Sequence, residues 1–359
     1  MKFDPRKIGK NLKVEPYLNK GEKMRKRVLI TGGAGFIGHH LIEKMLRETD
    51  YEIVSLDRLD FSGNLGRLSE ICEKIPDAKD RLKIVWHDLK APLNGMIKDK
   101  IGPVDYIFHL AAGSHVDRSI EYPMEFVMDN VVGTVNLLDY ARLHLKDKLE
   151  LFLYFSTDEV FGPAPEGVFY EEDDRYWSGN PYAASKAGGE EMCLAYENTY
   201  KMPIVITHTM NVFGLRQHPE KFIPKVIKRI RDGETIHVHS NSDCTKAGSR
   251  HYIHAKDVAD AVLFLIENGR PGEKYNITGS EETDNEELVN AIAEIMDKKA
   301  IYELVDFHSA RPGHDLRYAL SSEKMGNLGW FPKKPFKERI REVVEWSLEN
   351  HRWLGAKED

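Results

Sequence analysis

Along the first 210 residues, short apolar runs alternate with longer stretches in which apolar residues recur every three or four positions. The short runs predict strands over Arg27–Thr31, Glu52–Leu56, Leu82–Trp86, Tyr106–Leu110, Leu151–Phe155 and Ile204–Thr207. Runs apolar on both faces suit a parallel sheet with helices covering each side. The longer stretches predict helices over Phe36–Arg47, Met124–His144 and Tyr182–Tyr200. Strand and helix alternating in this way imply a doubly wound sheet with right-handed crossovers.

After Asn211 the pattern changes. Phe222–Arg231 and Asp284–Met296 keep a helical period, but the strands shorten and the loops lengthen. Val258–Glu267 is strongly apolar and is expected to return to the first domain. The fold class expected is α/β: a Rossmann-type doubly wound parallel sheet with a smaller, discontinuous α/β C-terminal substrate domain. The sheet domain is expected over 26–213 plus 250–268, and the second domain over 214–249 plus 269–350. Residues 1–25, rich in Lys, are expected to form a surface arm or to precede an alternative start at Met24. No internal repeat or low-complexity tract is evident.

Composition narrows the class of function. The 359 residues, 41% of them hydrophobic, can bury a sizeable core. A net charge of −7 argues against nonspecific nucleic-acid binding, which needs a basic face. The three cysteines, Cys72, Cys193 and Cys244, are scattered and form no zinc spacing, which points to a reduced, cytoplasmic setting. An apolar run such as Val262–Ile266 is far too short to span a membrane, and the N-terminus has no secretory apolar stretch. His237, His239, His251 and His254 lie close together without metal-ligand spacing, so no metal is expected.

The chemistry begins at Thr31-Gly32-Gly33-Ala34-Gly35-Phe36-Ile37-Gly38, between the first strand and the first helix. Glycine at 32, 35 and 38 lets the turn tighten and the backbone approach a pyrophosphate on the helix N-terminus. Asp57, closing the second strand, is placed to bond the adenosine ribose hydroxyls and to repel a 2′-phosphate. NAD is therefore expected over NADP, although Arg58 beside it is a residue type that accepts a 2′-phosphate. Asp88 and Leu89 follow the third strand and are placed near the adenine. Leu110, Ala111, Ala112 and Ser114 follow the fourth, where a dinucleotide passes close to the backbone.

A second constellation lies downstream. Asn180-Pro181 predicts a helix start, Asn as N-cap and Pro at the first position. Tyr182 and Lys186 then share one face, one turn apart. Lys186 is expected to lower the Tyr182 pKa and to hold the nicotinamide ribose. Ser156, Thr157, Asp158 and Glu159 follow a buried strand, and in an open parallel sheet ligands lie beyond the carboxyl ends of strands. Thr157 is placed to bond a reacting hydroxyl. Two adjacent carboxylates can serve as acid and base if their surroundings separate them. Each has a plainer reading, as a capping acid and a surface acid.

These residues together resemble the extended short-chain dehydrogenase/reductase family and, within it, the dTDP-glucose 4,6-dehydratases, from about residue 26 to about 346. The landmarks are the glycine turn, Asp57-Arg58-Leu59, the stretch from His109 to Ser119, Ser156-Thr157-Asp158-Glu159-Val160, Tyr182 with Lys186, the stretch from Pro219 to Pro224, and Arg311-Pro312-Gly313-His314-Asp315. The Asp-Glu pair is the specific mark, because the family's sugar epimerases usually lack it. The resemblance implies 4,6-dehydration of an NDP-hexose such as dTDP-glucose with tightly held NAD. Tyr182 would take the C4 hydroxyl proton, Glu159 the C5 proton, and Asp158 would protonate the leaving C6 hydroxyl. It also implies that Asn211, Lys221, Phe222, Arg250 and Arg311 contact the nucleotide diphosphate end, with Ser114, Thr157, Asn285 and His314 as further substrate contacts. A homodimer through the helices Met124–His144 and Tyr182–Tyr200 is implied as well, and Gly188-Gly189 fits close helix contact there. The chain departs from the thymidine pattern at Gly113, a usual Glu, and over 237–250, where His239 replaces a usual Tyr. The base therefore stays open among thymine, uracil, cytosine and guanine. A nucleotide-sugar 4-epimerase or decarboxylase, and a noncatalytic NAD-binding regulator, are the other readings.

Overall fold

The computed structural model describes residues 25–306 and 316–355. Seven parallel strands form the central sheet: β1 (Arg27–Thr31), β2 (Glu52–Asp57), β3 (Leu82–Trp86), β4 (Tyr106–His109), β5 (Leu151–Thr157), β6 (Ile204–Thr209) and β11 (Lys274–Ile277). Their order is β11-β6-β5-β4-β1-β2-β3. The order reverses between β1 and β4, and a ligand crevice is expected at that switch point. Alternate residues of one strand serve opposite faces. Val28 and Ile30 join the core under the helices Phe36–Glu48 and Ala255–Asn268, while Leu29 joins the core under Gly133–His144. Both faces are buried, which is why the strands read as unbroken apolar runs. Each buried Leu, Ile or Val contributes about 1.5–3 kcal/mol, so these two cores hold the sheet.

The remaining strands pair in twos: β7 (Val212–Phe213) with β10 (Ile253–His254), β9 (Ser249–Arg250) with β12 (Thr283–Asp284), and β8 (Ile236–Ser240) with β13 (Tyr302–Asp306). A third core joins β8 to the helices Phe222–Asp232, Asn285–Ile295 and Phe336–Glu349. The helix Ala255–Asn268 does return to the sheet, where it packs against the Phe36–Glu48 helix. The expected boundary after 268 needs correction, because β11 lies beyond it and pairs with β6 in the large sheet. That strand is held by hydrogen bonds to β6 and by burial of Tyr275 and Ile277, and its short Lys-Tyr-Asn-Ile run carries no periodic signal.

The expected Met124–His144 helix is interrupted by one wide turn, a π-helix over Met128–Val132. The extra residue aims Asn130 inward, where its amide bonds both backbone groups of Gly113 (2.8 and 3.1 Å) and the Ser185 hydroxyl (2.8 Å). Gly189 serves this same contact. A Cβ there would lie 2.4 Å from both the Asn130 carbonyl and the Tyr154 hydroxyl. Among the described residues, no helix is long and apolar enough to cross a membrane.

Candidate active site

One cavity of about 380 Å³ opens over the switch point, beyond the carboxyl ends of the strands. The glycine turn forms its floor. Gly32 has φ +71°, and a Cβ there would lie 2.8 Å from the Ala111 nitrogen; one at Gly38 would lie 2.2 Å from the Gly32 carbonyl. Side chains are thus kept out of the strip where backbone meets backbone. Asp57 stands at the end of β2, held by backbone N–H groups donated from Ala34 (3.1 Å) and Leu59 (2.8 Å). Arg58 is committed elsewhere. Its guanidinium donates to Asp129 through two bonds (2.5 and 2.8 Å) and to Asp60 through Nε (2.6 Å). An arginine tied to two carboxylates is not offered to a 2′-phosphate. The cradle and Asp57 therefore fit a dinucleotide with free ribose hydroxyls.

Farther along the same row of strand ends, β5 runs on to Thr157 and turns into a short 3-10 helix, Asp158–Phe161. The Thr157 hydroxyl donates to Asp158 Oδ1 at 3.0 Å and accepts the Glu159 N–H at 3.4 Å. Asp158 is 4% exposed, and its Oδ2 has no hydrogen-bond partner among the described residues. Burial raises Asp158 to about 6, against the pull of Arg250 and Thr157. Burial, and then the Asp158 carboxylate, raises Glu159 to about 7, against a bond from Asn180 Nδ2 to Oε2 at 3.1 Å. Neither acid is the solvated surface group that its local sequence also allowed.

The helix Pro181–Tyr200 begins as expected, with the Asn180 side chain accepting the Ala183 N–H at 2.9 Å. It sets Tyr182 and Lys186 against the cavity. Burial and then the Glu159 carboxylate raise the Tyr182 phenol, with Thr157 opposing. Burial also disfavours the Lys186 ammonium, bringing it to about 7, and its Nζ sits 4.1 Å from the centre of the Tyr154 ring.

The expected cofactor contacts and the five expected catalytic residues, Thr157, Asp158, Glu159, Tyr182 and Lys186, all line this one cavity. So do Ser114, Asn211, Lys221 and Phe222. Arg250 and Asn285 do not. Arg250 is buried with its guanidinium donating to the carbonyls of Ser249 (2.7 Å) and Leu316 (2.5 Å), although its charge reaches both acids. Asn285 stands behind the lining, accepting from the hydroxyl of Tyr252 at 2.7 Å, and Tyr252 lines the cavity in its place. Arg311 and His314 fall outside the described residues. Arg67, Gln217, His218 and Tyr252 line the cavity without a sequence signal, because folding alone brings them there.

A family model described as GDP-mannose 4,6 dehydratase matches residues 29–343. The chain belongs to this dehydratase family. Its relatives include the dTDP-D-glucose 4,6-dehydratase of Bos taurus, 36% identical over 341 residues that cover 93% of this chain and 92% of that protein. The crystal structure of DesIV, a dTDP-glucose 4,6-dehydratase from Streptomyces venezuelae with NAD bound, superposes with a TM-score of 0.81 at 34% identity, covering 91% of this chain and 98% of that one. The Thermus thermophilus UDP-glucose 4-epimerase, in complex with NAD, superposes at 0.78 with 29% identity, covering 89% of this chain and 98% of that one. Fold alone does not separate a dehydratase from an epimerase, so the side chains in the cavity must decide. Here they include both carboxylates of the Thr157–Glu159 turn.

Proposed function

We propose that this dehydratase-family protein carries out the NAD-dependent 4,6-dehydration of a nucleotide-activated hexose, dTDP-glucose, to the 4-keto-6-deoxy sugar nucleotide. One observation carries the reading: Asp158 and Glu159 share a single cavity with Tyr182, Lys186 and the dinucleotide cradle. Exchange at C4 needs only a hydroxyl proton and a hydride. Loss of water across C5 and C6 also needs a base and an acid, and the turn after β5 supplies one of each.

Gly32, Gly35, Gly38 and Asp57 would hold the dinucleotide, with Tyr182 and Lys186 at its nicotinamide end. NAD, when bound, supplies a hydride acceptor at C4 and a hydride donor at C6. Tyr182, as the phenolate that the Lys186 ammonium favours, takes the proton of the C4 hydroxyl, and Thr157 holds that hydroxyl in place. Glu159 removes the C5 proton, which the adjacent C4 ketone has made acidic. Asp158 gives its proton to the C6 hydroxyl, which leaves as water. Glu159 then returns a proton to C5. Lys221, Phe222 and Asn211 are assigned to the nucleotide end. Relatives named for dTDP-glucose across nearly the whole chain support that nucleotide over UDP-, CDP- and GDP-hexoses. Gly113 and the 237–250 stretch lie outside the cavity lining. A cytoplasmic setting, supported by the three free cysteines, and a homodimer are part of the same reading.

The test is incubation of the purified protein with dTDP-glucose deuterated at C4. The label is expected to reappear on the C6 methyl group of the product. Label returned to C4 of an epimerised sugar would replace dehydration with epimerisation. A noncatalytic regulator would leave the sugar untouched.

A further inference from the structure

We propose that Asn180 is a positioning residue for the elimination step: one side chain both starts the helix that carries Tyr182 and orients the carboxylate of Glu159. The inference rests on the base role given to Glu159 above. Asn180 is 5% exposed and lies between the turn after β5 and the helix Pro181–Tyr200. Its Oδ1 accepts the Ala183 N–H at 2.9 Å. A backbone N–H needs an acceptor, so this bond fixes which end of the amide is oxygen. The other end, Nδ2, therefore faces Glu159 Oε2 as a donor, at 3.1 Å.

Capping alone does not call for asparagine. Asp and Ser start helices about as well. Only an amide presents an acceptor to the helix and an N–H to a carboxylate on two separate, rigidly linked atoms. The two bonds tie the first turn of the helix that carries Tyr182 to the carboxylate of Glu159, so that a shift of one is felt by the other. A donor on Oε2 also favours the charged, proton-accepting form of Glu159. It acts against Asp158 in the same turn, while Arg250 from β9 and Lys221 act with it. Tyr182 acts on Glu159 from the helix, its own phenol raised by burial and then by that carboxylate.

Asn180→Asp keeps an acceptor for Ala183 but sets a second anion against Glu159. Asn180→Ser keeps a cap and shortens the reach. The expected result for Asn180→Asp is a melting temperature near that of the parent. Its kcat should fall about tenfold or more at neutral pH with KM little changed. The limb of its kcat/KM profile on which activity rises with pH should move up by about one pH unit. Asn180→Ser is expected to move the same limb less, and it carries the test if Asn180→Asp does not fold. A limb that stays put in the folded variants, whatever their melting temperatures, would overturn the proposal and leave Asn180 a helix cap. Infrared titration of the Glu159 carboxylate, with Glu159→Gln as blank, reads the same shift without turnover. If the parent protein fails to dehydrate dTDP-glucose, the function assigned above falls, while the titration still decides whether Asn180 governs Glu159.

Discussion

The two walls of the cavity are built by different means. One is formed by the ends of strands of a seven-stranded sheet, cored on both faces. The other rests on residues 211–223 and on paired strands of two residues each, such as β7 with β10. The first wall carries Thr157, Asp158 and Glu159 together with Asp57 and the glycine turn. The second carries Asn211, Lys221 and Phe222. Reacting groups must be held to within about half an ångström, which packed strand ends achieve better than loops. Recognition of a nucleotide tolerates more adjustment. The division suggests a fixed chemistry joined to an adaptable grip.

Substitutions on each wall can break that comparison. On the sheet wall, Glu159→Gln is expected to lower kcat by about 10²–10⁴-fold with KM nearly unchanged. Sugar oxidation should still occur, so reduced nicotinamide should accumulate on the enzyme and be visible by absorbance. Full turnover would take the base role from Glu159. On the loop wall, Lys221→Ala is expected to raise KM about tenfold while kcat holds, the mark of binding shared equally by ground and transition states. A fall in kcat instead would place Lys221 among the reacting groups and erase the division.

The smallest effect sharpens the comparison within the sheet wall itself. Glu159 must be bare to act as base, so activity is gained as pH rises through about 7. Asp158 must be protonated to act as acid, so activity is lost as pH rises through about 6. The kcat/KM profile of the parent protein is expected to be a shallow bell with its maximum between these values. A profile flat across this range would show that the turn does not separate its two carboxyl groups as described.

Much of the first wall was legible in the sequence because its chemistry demands neighbours in the chain. A glycine turn, an acid at a strand end, two adjacent carboxylates, and a tyrosine and lysine one turn apart are all local patterns. What could not be read depended on distant partners. Arg250 has the residue type of a diphosphate ligand, and only the fold shows that its guanidinium also donates to the Leu316 carbonyl, 66 positions away. That burial raises the Tyr182 phenol is likewise invisible in the local sequence. The depth of a side chain is a property of the folded whole. Asn180 declared itself as a helix cap, and that sufficient explanation concealed its second bond, to Glu159.

Strand β11 has a consequence for the order in which the molecule is finished. Residues 274–277 complete the large sheet, yet they are translated after the first segment of the second lobe. A nascent chain that has already made the glycine turn, both acids and the tyrosine still leaves one side of β6 as an open edge, able to pair with another chain. A fragment cut just short of Lys274 would retain all the reacting groups and lack the strand that covers the edge of β6.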